Sequence, residues 1–325
     1  MKALVTGGTG FIGSHVVDLL LQGGHIVRLL SRKAEVPARW QGAGVKMLPG
    51  DLRHSETVVD SMTGVDTVFH IGEIKNISEA QAKQNVELVR RMASGLKSAG
   101  VKRLVFVSSL TVAGIPSATP ADENTDQAVK LKDQYTEYKR AAEEIIRNAG
   151  GKAEFMILRP GIVYGPGSRY LGSLLRMVRR LGPIGVPFIG TGRNIMPLIH
   201  VEDLARAVYL AGVQEGAKNE TLNLVDGQAH TWLDFFAAIG KAYGKPVRLV
   251  PVPIFLLRVP AVVGDLLAGL LGSTPDMRDY IDYLVRDIYF GNQQTQSVLG
   301  WEPKKTDLDA AVREMVRCYS PSRES

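Results

Sequence analysis

Through the first 165 residues, short and nearly unbroken apolar runs alternate with longer stretches in which apolar residues recur every three or four positions. The runs Lys2–Thr6, Ile26–Ser31, Val45–Pro49, Thr67–Ile71, Leu104–Ser108 and Phe155–Arg159 predict strands. An unbroken apolar run is what a parallel strand needs when helices cover both its faces. The stretches Ser14–Gln22, Ser55–Met62, Asn85–Ala99 and Gln134–Asn148 predict helices. Strand and helix in strict alternation specify an α/β fold built on a doubly wound parallel sheet. Right-handed crossovers then bring the C-terminal ends of the strands to one edge, where ligands bind.

Beyond Gly165 the pattern changes. Leu171–Leu181 reads as a basic helix, Gly182–Phe188 is rich in glycine and proline, and His200–Gly212 reads as a helix, Thr221–Val225 as a strand and Thr231–Tyr243 as a helix. The chain therefore divides into a sheet domain over residues 1–165, joined by a returning segment around 191–226, and a smaller substrate-binding lobe over 166–325. Pro251–Gly272 is the most apolar stretch, but Arg258 and Asp265 interrupt it and Pro253 and Pro260 break it. It falls short of the ~18 uninterrupted apolar residues of a membrane span. It reads as a buried or lid helix pair, which excludes an integral span and leaves room for loose association with a membrane surface. Met1-Lys2 leads directly into the first strand with no apolar leader segment, so a cytoplasmic location is expected.

Composition removes other classes. Of 325 residues 45% are hydrophobic and 22% charged, which excludes disordered and collagen-like chains. One cysteine, Cys318, can form neither an internal disulfide nor a thiolate metal cluster, and fits a reducing compartment. The net charge of +6 is spread along the chain, so no nucleic-acid partner is expected. The 34 glycines change the picture more, because of where they fall.

The first strand ends in Thr6-Gly7-Gly8-Thr9-Gly10-Phe11-Ile12-Gly13 and runs straight into a helix. Residues without Cβ let the backbone approach a pyrophosphate, and the helix N-terminus offers free N–H groups to it. The strand–turn–helix context makes Gly7, Gly10, Phe11, Ile12 and Gly13 candidate dinucleotide contacts. At the end of the second strand, where an acid would take the ribose hydroxyls, stand Ser31, Arg32 and Lys33. A guanidinium there suits a 2′-phosphate, so NADP is favoured over NAD. Asp51, after Gly50, is placed to accept from the adenine amine, with Leu52 beside it.

Tyr135 and Lys139 stand four apart at the start of a helix and share a face. A free tyrosine titrates near pH 10, too high for acid–base work at neutrality; an adjacent cation favours the phenolate. Ser109, at the end of the fifth strand, falls on the same edge and can bond a substrate oxygen. The six histidines show no metal-ligand spacing, and His70 reads as a packed or structurally bonded side chain. Ser108 and Ser109 are not in a GxSxG elbow, and no GxxxxGK[ST] loop is present.

Taken in order, these residues resemble the extended branch of the short-chain dehydrogenase/reductase superfamily. The likeness is carried by Thr6–Gly13, Gly50-Asp51-Leu52, Val68-Phe69-His70, Asn85, Val107-Ser108-Ser109 with Thr111–Gly114, Tyr135-xxx-Lys139, Leu158–Pro166, Ile199–Leu204 and Leu299–Pro303, across nearly the whole chain. It implies a Rossmann-type sheet with a smaller C-terminal substrate-binding lobe, and catalysis by Ser109, Tyr135 and Lys139. It also implies cofactor contacts from Gly72, Asn85, Ser108, Pro160, Ile162 and Val163, in addition to Tyr135, Lys139 and the residues above. No metal is implied. Nucleotide-sugar members carry asparagine where this chain has Ile162, and arginine where it has Met196, both for phosphate; Arg193 is a candidate substitute. These departures and the apolar 251–272 stretch resemble the dihydroflavonol reductase and 3β-hydroxysteroid dehydrogenase groups. The expected function is NAD(P)-dependent hydride transfer on a carbonyl or hydroxyl carbon of a lipophilic, steroid- or flavonoid-like small molecule. The alternatives are a nucleotide-sugar epimerase or dehydratase with bound NAD, or a non-catalytic NADP-binding regulator. Relatives pair through helices equivalent to Asn85–Ala99 and Gln134–Asn148, so a homodimer is expected. Gly72-Glu73 departs from two small residues in relatives, and the sequence offers no role for Glu73.

Overall fold

A computed structural model describes residues 1–33, 35–74, 78–149, 153–253 and 277–319. Its main sheet is built from β1 (Lys2–Thr6), β2 (Ile26–Ser31), β3 (Val45–Pro49), β4 (Thr67–His70), β5 (Arg103–Val107), β8 (Glu154–Pro160) and β12 (Glu220–Leu224). The intervening short strands are β6 (Ile115–Pro116), β7 (Gln127–Val129), β9 (Ile162–Tyr164), β10 (Val186–Ile189) and β11 (Leu198–His200), with β13 (Leu249–Val252) after the sheet. The helices are α1 (Phe11–Gln22), α2 (Ser55–Ser61), α3 (Glu79–Gly95), α4 (Gln134–Asn148), α5 (Arg169–Leu181), α6 (Val201–Val213) and α7 (Trp232–Tyr243). Three more follow, α8 (Met277–Val285), α9 (Gln293–Leu299) and α10 (Leu308–Tyr319).

The seven strands lie in the order β12-β8-β5-β4-β1-β2-β3, and every pair is parallel. Successive strand residues face opposite sides. Ala3 and Val5 accordingly join one core with α1 and α6, while Leu4 joins another with α2, α3 and α4. The order reverses between β1 and β4, which begin the two halves of the sheet and flank the crevice expected to take a ligand.

The expected strands fall where the apolar runs lie, within one residue at each end. Two helices begin three or more residues earlier than their apolar pattern. Helix α1 starts at Phe11, against the glycine turn, and α3 starts at Glu79, not Asn85. The first turns of α3, from Glu79 to Gln84, bury little, so no apolar periodicity marks them; strong helix formers hold them instead.

Beyond the main sheet α5, α7 and α10 enclose a separate core around Tyr164, Leu175, Phe235 and Met315. Thr231 and Asp234 cap α7 reciprocally. The glycine- and proline-rich stretch leads into a strand that its composition does not mark: β10 pairs in parallel with β13, Pro187 opposite Val250 and Phe188 opposite Pro251. Prolines cannot donate to a ladder and are tolerated in such a two-stranded edge pair. Of Pro251–Gly272, residues 254–272 lie outside the described residues. Strand β12 returns to the main sheet beside β8, whereas β11 pairs with β9 in a small sheet of its own. The chain after α9 is tied to α6 by Trp301, whose Nε1 donates to the Asp203 carbonyl at 3.0 Å, and by the amides of Lys304 and Lys305, which donate to the Asp203 carboxylate. Among the described residues no helix is long and apolar enough to cross a membrane.

Candidate active site

The turn after β1 is set by backbone crowding. Gly7 has φ +71, and a Cβ there would stand 2.6 Å from the Gly72 Cα. A Cβ on Gly13 would stand 2.2 Å from the Gly7 carbonyl oxygen. Three stretches of backbone thus touch at the ends of β1 and β4, and the amide of Gly72 donates to the Thr6 carbonyl at 3.0 Å. Leu52 borders the same contact, its Cδ1 3.1 Å from where a Gly72 Cβ would lie. Beneath it Thr6 Oγ1 and His70 Nδ1 are 2.8 Å apart and buried. Burial, then the nearby Lys139 charge, pushes the His70 pKa down to about 3, so the ring is neutral and holds the strand ends together. No side chain caps the N-terminus of α1 at Gly10. A cradle too tight for any side chain, opening on uncapped helix amides, fits the pyrophosphate of a dinucleotide.

At the ends of β2 and β3, Ser31 and Gly50 are joined by a backbone bond of 2.9 Å, and the Ser31 hydroxyl accepts from the Lys33 amide. Arg32 is exposed beside them. Asp51 is paired with a residue that the motif did not point to: Arg53 donates Nε and Nη2 to its carboxylate at 3.0 and 2.6 Å. The bonds from Arg53, with the Arg32 charge adding, hold the Asp51 carboxyl down at about 2. Arg53 stands two residues after Asp51, the signal that could have found it.

Ser109, Tyr135 and Lys139 come from the end of β5 and the first half of α4. Asp133 caps that helix by accepting from the Thr136 amide, which fixes where its first turn begins. The Lys139 ammonium, 4% exposed, donates to the Val107 carbonyl at 2.9 Å, anchoring α4 to the strand end that carries Ser109. It lies 5.6 Å from the Tyr135 ring centre, and the Tyr135 and Tyr138 rings meet edge to face. The Ser109 Oγ accepts from both the amide and the hydroxyl of Thr111, at 3.3 and 3.0 Å. Its own hydrogen is left to be given to a further acceptor.

Glu73, without a role in the sequence, faces the same lysine. Its Oε2 accepts from the Tyr138 hydroxyl at 2.9 Å and lies 3.4 Å from the Lys139 Nζ. Burial lowers the Lys139 pKa and the Glu73 charge opposes that shift. Burial also raises the Tyr138 phenol, as does Glu73, so Tyr138 stays protonated.

Three residues expected at the cofactor have their side chains engaged elsewhere. Ser108 donates to the buried Glu143 Oε1 at 2.6 Å. Asn85 clamps the loop after β4, accepting from the Ile74 amide and donating to the Ile74 and Gln81 carbonyls. Its reach toward a ligand is through the Gly72–Ile74 backbone it fixes. Pro160 is buried at the end of β8. Ile162 and Val163 are half-buried, in β9 opposite Leu198 and Ile199. Below the site Glu143 collects Arg159 through two bonds, of 2.9 and 2.6 Å, and Arg147 at 2.6 Å. Burial pushes its carboxyl up, but Arg159, Ser108 and Arg147 together outweigh it and hold the carboxyl below its ordinary value. Met196 is 2% exposed, packed with Tyr164, Leu198 and Phe235. Arg193 is exposed on the turn after β10.

A cleft of about 870 Å³ opens at the other edge of the sheet, among Asp66, Lys102, Arg103 and Glu154. Its charges pair with each other, Arg103 with Glu154 at 2.6 Å and Lys102 with Asp66 at 3.2 Å, and none of the expected site residues lines it. Among the described residues no group of three or more His, Cys, Asp or Glu could hold a metal.

A parallel doubly wound sheet with a glycine cradle at its switch point, and a lysine anchored beside a tyrosine at the fifth strand, defines a dinucleotide-dependent enzyme of the short-chain dehydrogenase/reductase type. Residues 3–224 match the NAD-dependent epimerase/dehydratase family, and the chain belongs to it. It is 30% identical over 339 residues to a 3-beta-hydroxysteroid dehydrogenase of Mycolicibacterium neoaurum, spanning 98% of this chain and 91% of that one. It is 26% identical to UDP-glucose 4-epimerase of Vibrio cholerae over 315 residues, 93% and 91% of the two chains. The crystal structure of UDP-glucose 4-epimerase from Bifidobacterium longum in complex with NAD+ and UDP has the same fold, with TM-score 0.74, 22% identity and 98% of each chain covered.

Proposed function

We propose that this enzyme is an NAD(P)-dependent oxidoreductase acting on a carbonyl or hydroxyl carbon of a lipophilic small molecule, with NADP as the preferred cofactor. The observation that carries the reading is Lys139, held at the Val107 carbonyl between Tyr135 and the strand end of Ser109. When bound, the nicotinamide supplies or takes up a hydride at that carbon. Tyr135 gives a proton to the substrate oxygen in reduction and takes it back in oxidation. Lys139 stabilises the phenolate form by its charge. Ser109, its oxygen occupied by Thr111, donates its hydrogen to the substrate oxygen and orients it. The glycine cradle with Phe11 and Ile12 would hold the pyrophosphate, and Arg32 with Arg53 the 2′-phosphate; Asp51, already paired, adds little repulsion.

The lipophilic substrate is supported by Ile162 and Met196, apolar residues at positions where the nucleotide-sugar members carry an asparagine and an arginine for phosphate, so that those charge-assisted bonds are missing. Similarity to the 3-beta-hydroxysteroid dehydrogenase agrees with it. The chain is proposed to work in the cytoplasm as a homodimer through α3 and α4. Ion pairs Glu79–Lys83 and Glu87–Arg91 make the outward side of α3 polar, so this contact would be of the dissociable kind. The testing experiment is NADPH oxidation against a panel of ketosteroids and flavanonols, run beside melting-temperature shifts with UDP-sugars. Turnover of an apolar ketone supports the reading; a UDP-sugar shift without such turnover replaces it with the epimerase reading. Arg32→Ala should weaken NADP by roughly tenfold or more and leave NAD nearly unchanged, since a charge-assisted bond is worth about 1.5–3 kcal/mol.

A further inference from the structure

Of the six large hydrophobic side chains exposed among the described residues, four lie together: Met177, Leu181, Ile184 and Val250. Ile184 is 79% exposed and Val250 43%. Continuity between them is fixed by the backbone. The Ile184 amide donates to the Leu181 carbonyl at 3.0 Å, and a Cβ on Gly185 would stand 2.5 Å from Val250 Cγ2. Met177 precedes Leu181 by one helical turn on the same face of α5. A neighbouring face of α5, about 100° round the helix and formed by Leu171, Leu175 and Val178, is buried. The helix therefore has two apolar stripes, one packed and one bare.

Charge accompanies the bare stripe. Arg176, Arg179 and Arg180 are exposed on α5, and Lys245 and Arg248 on the approach to β13. The Arg248 amide donates to the Gly182 carbonyl at 2.9 Å, which places that approach against the end of α5. Residues 167–194 and 244–253 contain no Asp or Glu. Asp309 of α10, a helix packed on α5, is already bonded to Lys241 at 2.6 Å. Arginines flanking exposed aliphatic side chains, in two stretches without an acid of their own, match an anionic lipid interface: the aliphatic groups enter the acyl boundary and the guanidiniums take phosphates. A second copy of the chain would set arginines against arginines, and is disfavoured by charge.

We infer that the face formed by the last turns of α5 and the β10–β13 edge is a peripheral docking surface for an anionic lipid bilayer. If the substrate is lipophilic, as proposed above, this face brings the second lobe to the phase that holds it; the docking itself does not depend on that reading.

The test is co-sedimentation of the full chain with large unilamellar vesicles, either pure phosphatidylcholine or a mixture with phosphatidylglycerol, at low and high salt. Binding is expected to the mixed vesicles, weakened by salt and absent on phosphatidylcholine alone. At about 1 kcal/mol per basic residue near the surface, Arg179→Gln with Arg180→Gln should lower the partition coefficient roughly 30-fold. Ile184→Asp should reduce it too, and Lys102→Gln, at the far edge of the sheet, should leave it unchanged. These sites are exposed, and an unchanged melting temperature checks the fold. No binding to mixed vesicles, or binding that the α5 and Ile184 variants leave intact, overturns the inference. So does a change of oligomeric state in those variants without loss of lipid binding, which would assign the face to a second copy. Turnover of apolar ketones is measured separately, so loss of the functional reading would leave the vesicle result standing.

Discussion

Tyr135, Lys139, Glu143 and Arg147 stand four residues apart and form one stripe along α4, yet its two halves do different work. In the lower half the Glu143 carboxylate takes bonds from Ser108, Arg147 and Arg159, and is fully buried. In the upper half the Lys139 ammonium has one carbonyl and a partly exposed carboxylate, Glu73. Adjacent residues of β5 divide the same way, Ser108 turned to Glu143 and Ser109 bonded by Thr111 with its hydrogen still to give. A saturated network fixes a helix on a sheet; an unsaturated one leaves bonding capacity for a ligand. The lower half holds the upper half in place.

The comparison can be broken from either end. The largest effect is expected from Tyr135→Phe, which should lower turnover by about 10²–10⁴-fold with melting temperature and cofactor affinity nearly unchanged. Equal loss of cofactor affinity, seen by fluorescence titration, would place Tyr135 with the structural half. Glu143→Ala should do the reverse. It strands Arg159, 13% exposed, beside an empty site, and should cost about 3–5 kcal/mol in urea unfolding with little change in turnover per folded molecule.

A smaller effect is set by pH. His70 stays neutral in the folded chain down to about pH 3, whereas the unfolded chain takes the proton near 6.5. The contribution is therefore complete above pH 6.5 and is lost as pH falls through the interval down to 3, by up to about 1.4 kcal/mol per unit. Urea unfolding of the wild type between pH 7 and 5 should show this slope, and His70→Gln should flatten it. An equal slope in both proteins would locate the acid sensitivity elsewhere. The smallest is Glu73→Gln. Without the counter-charge the Lys139 ammonium loses its proton more readily, so the alkaline limb of the pH–rate profile for alcohol oxidation should move to lower pH. An unmoved limb would mean that Glu73 does not govern that charge.

Much of this was legible in the chain. Unbroken apolar runs located the sheet strands because parallel strands bury both faces, and the glycine turn was marked by its place between strand and helix. Other features left no such trace. The start of α3 is exposed and polar, and β10 is paired through prolines. Arg159 and Glu143 are distant in sequence, and only the pairing of β5 with β8 brings Arg159 under α4. Glu143 itself continued the four-residue spacing from Tyr135 and Lys139, a signal that stood in plain view. Glu73 was visible as a departure, but its partners Tyr138 and Lys139 come from α4, across a loop whose position depends on the Asn85 clamp.

The contact between Gly7 and Gly72 also has a consequence for how the chain matures. The glycine turn is walled on one side by backbone from beyond β4, so residues 7–13 alone do not complete it. A chain emerging from the ribosome acquires the full cradle only after β4 has been made and has docked on β1, a long-range closure of the kind that slows folding. Cofactor then adds stability by mass action to molecules that have closed this seam and gives little to those that have not. The nucleotide would in that way act as a late selector of correctly paired sheets.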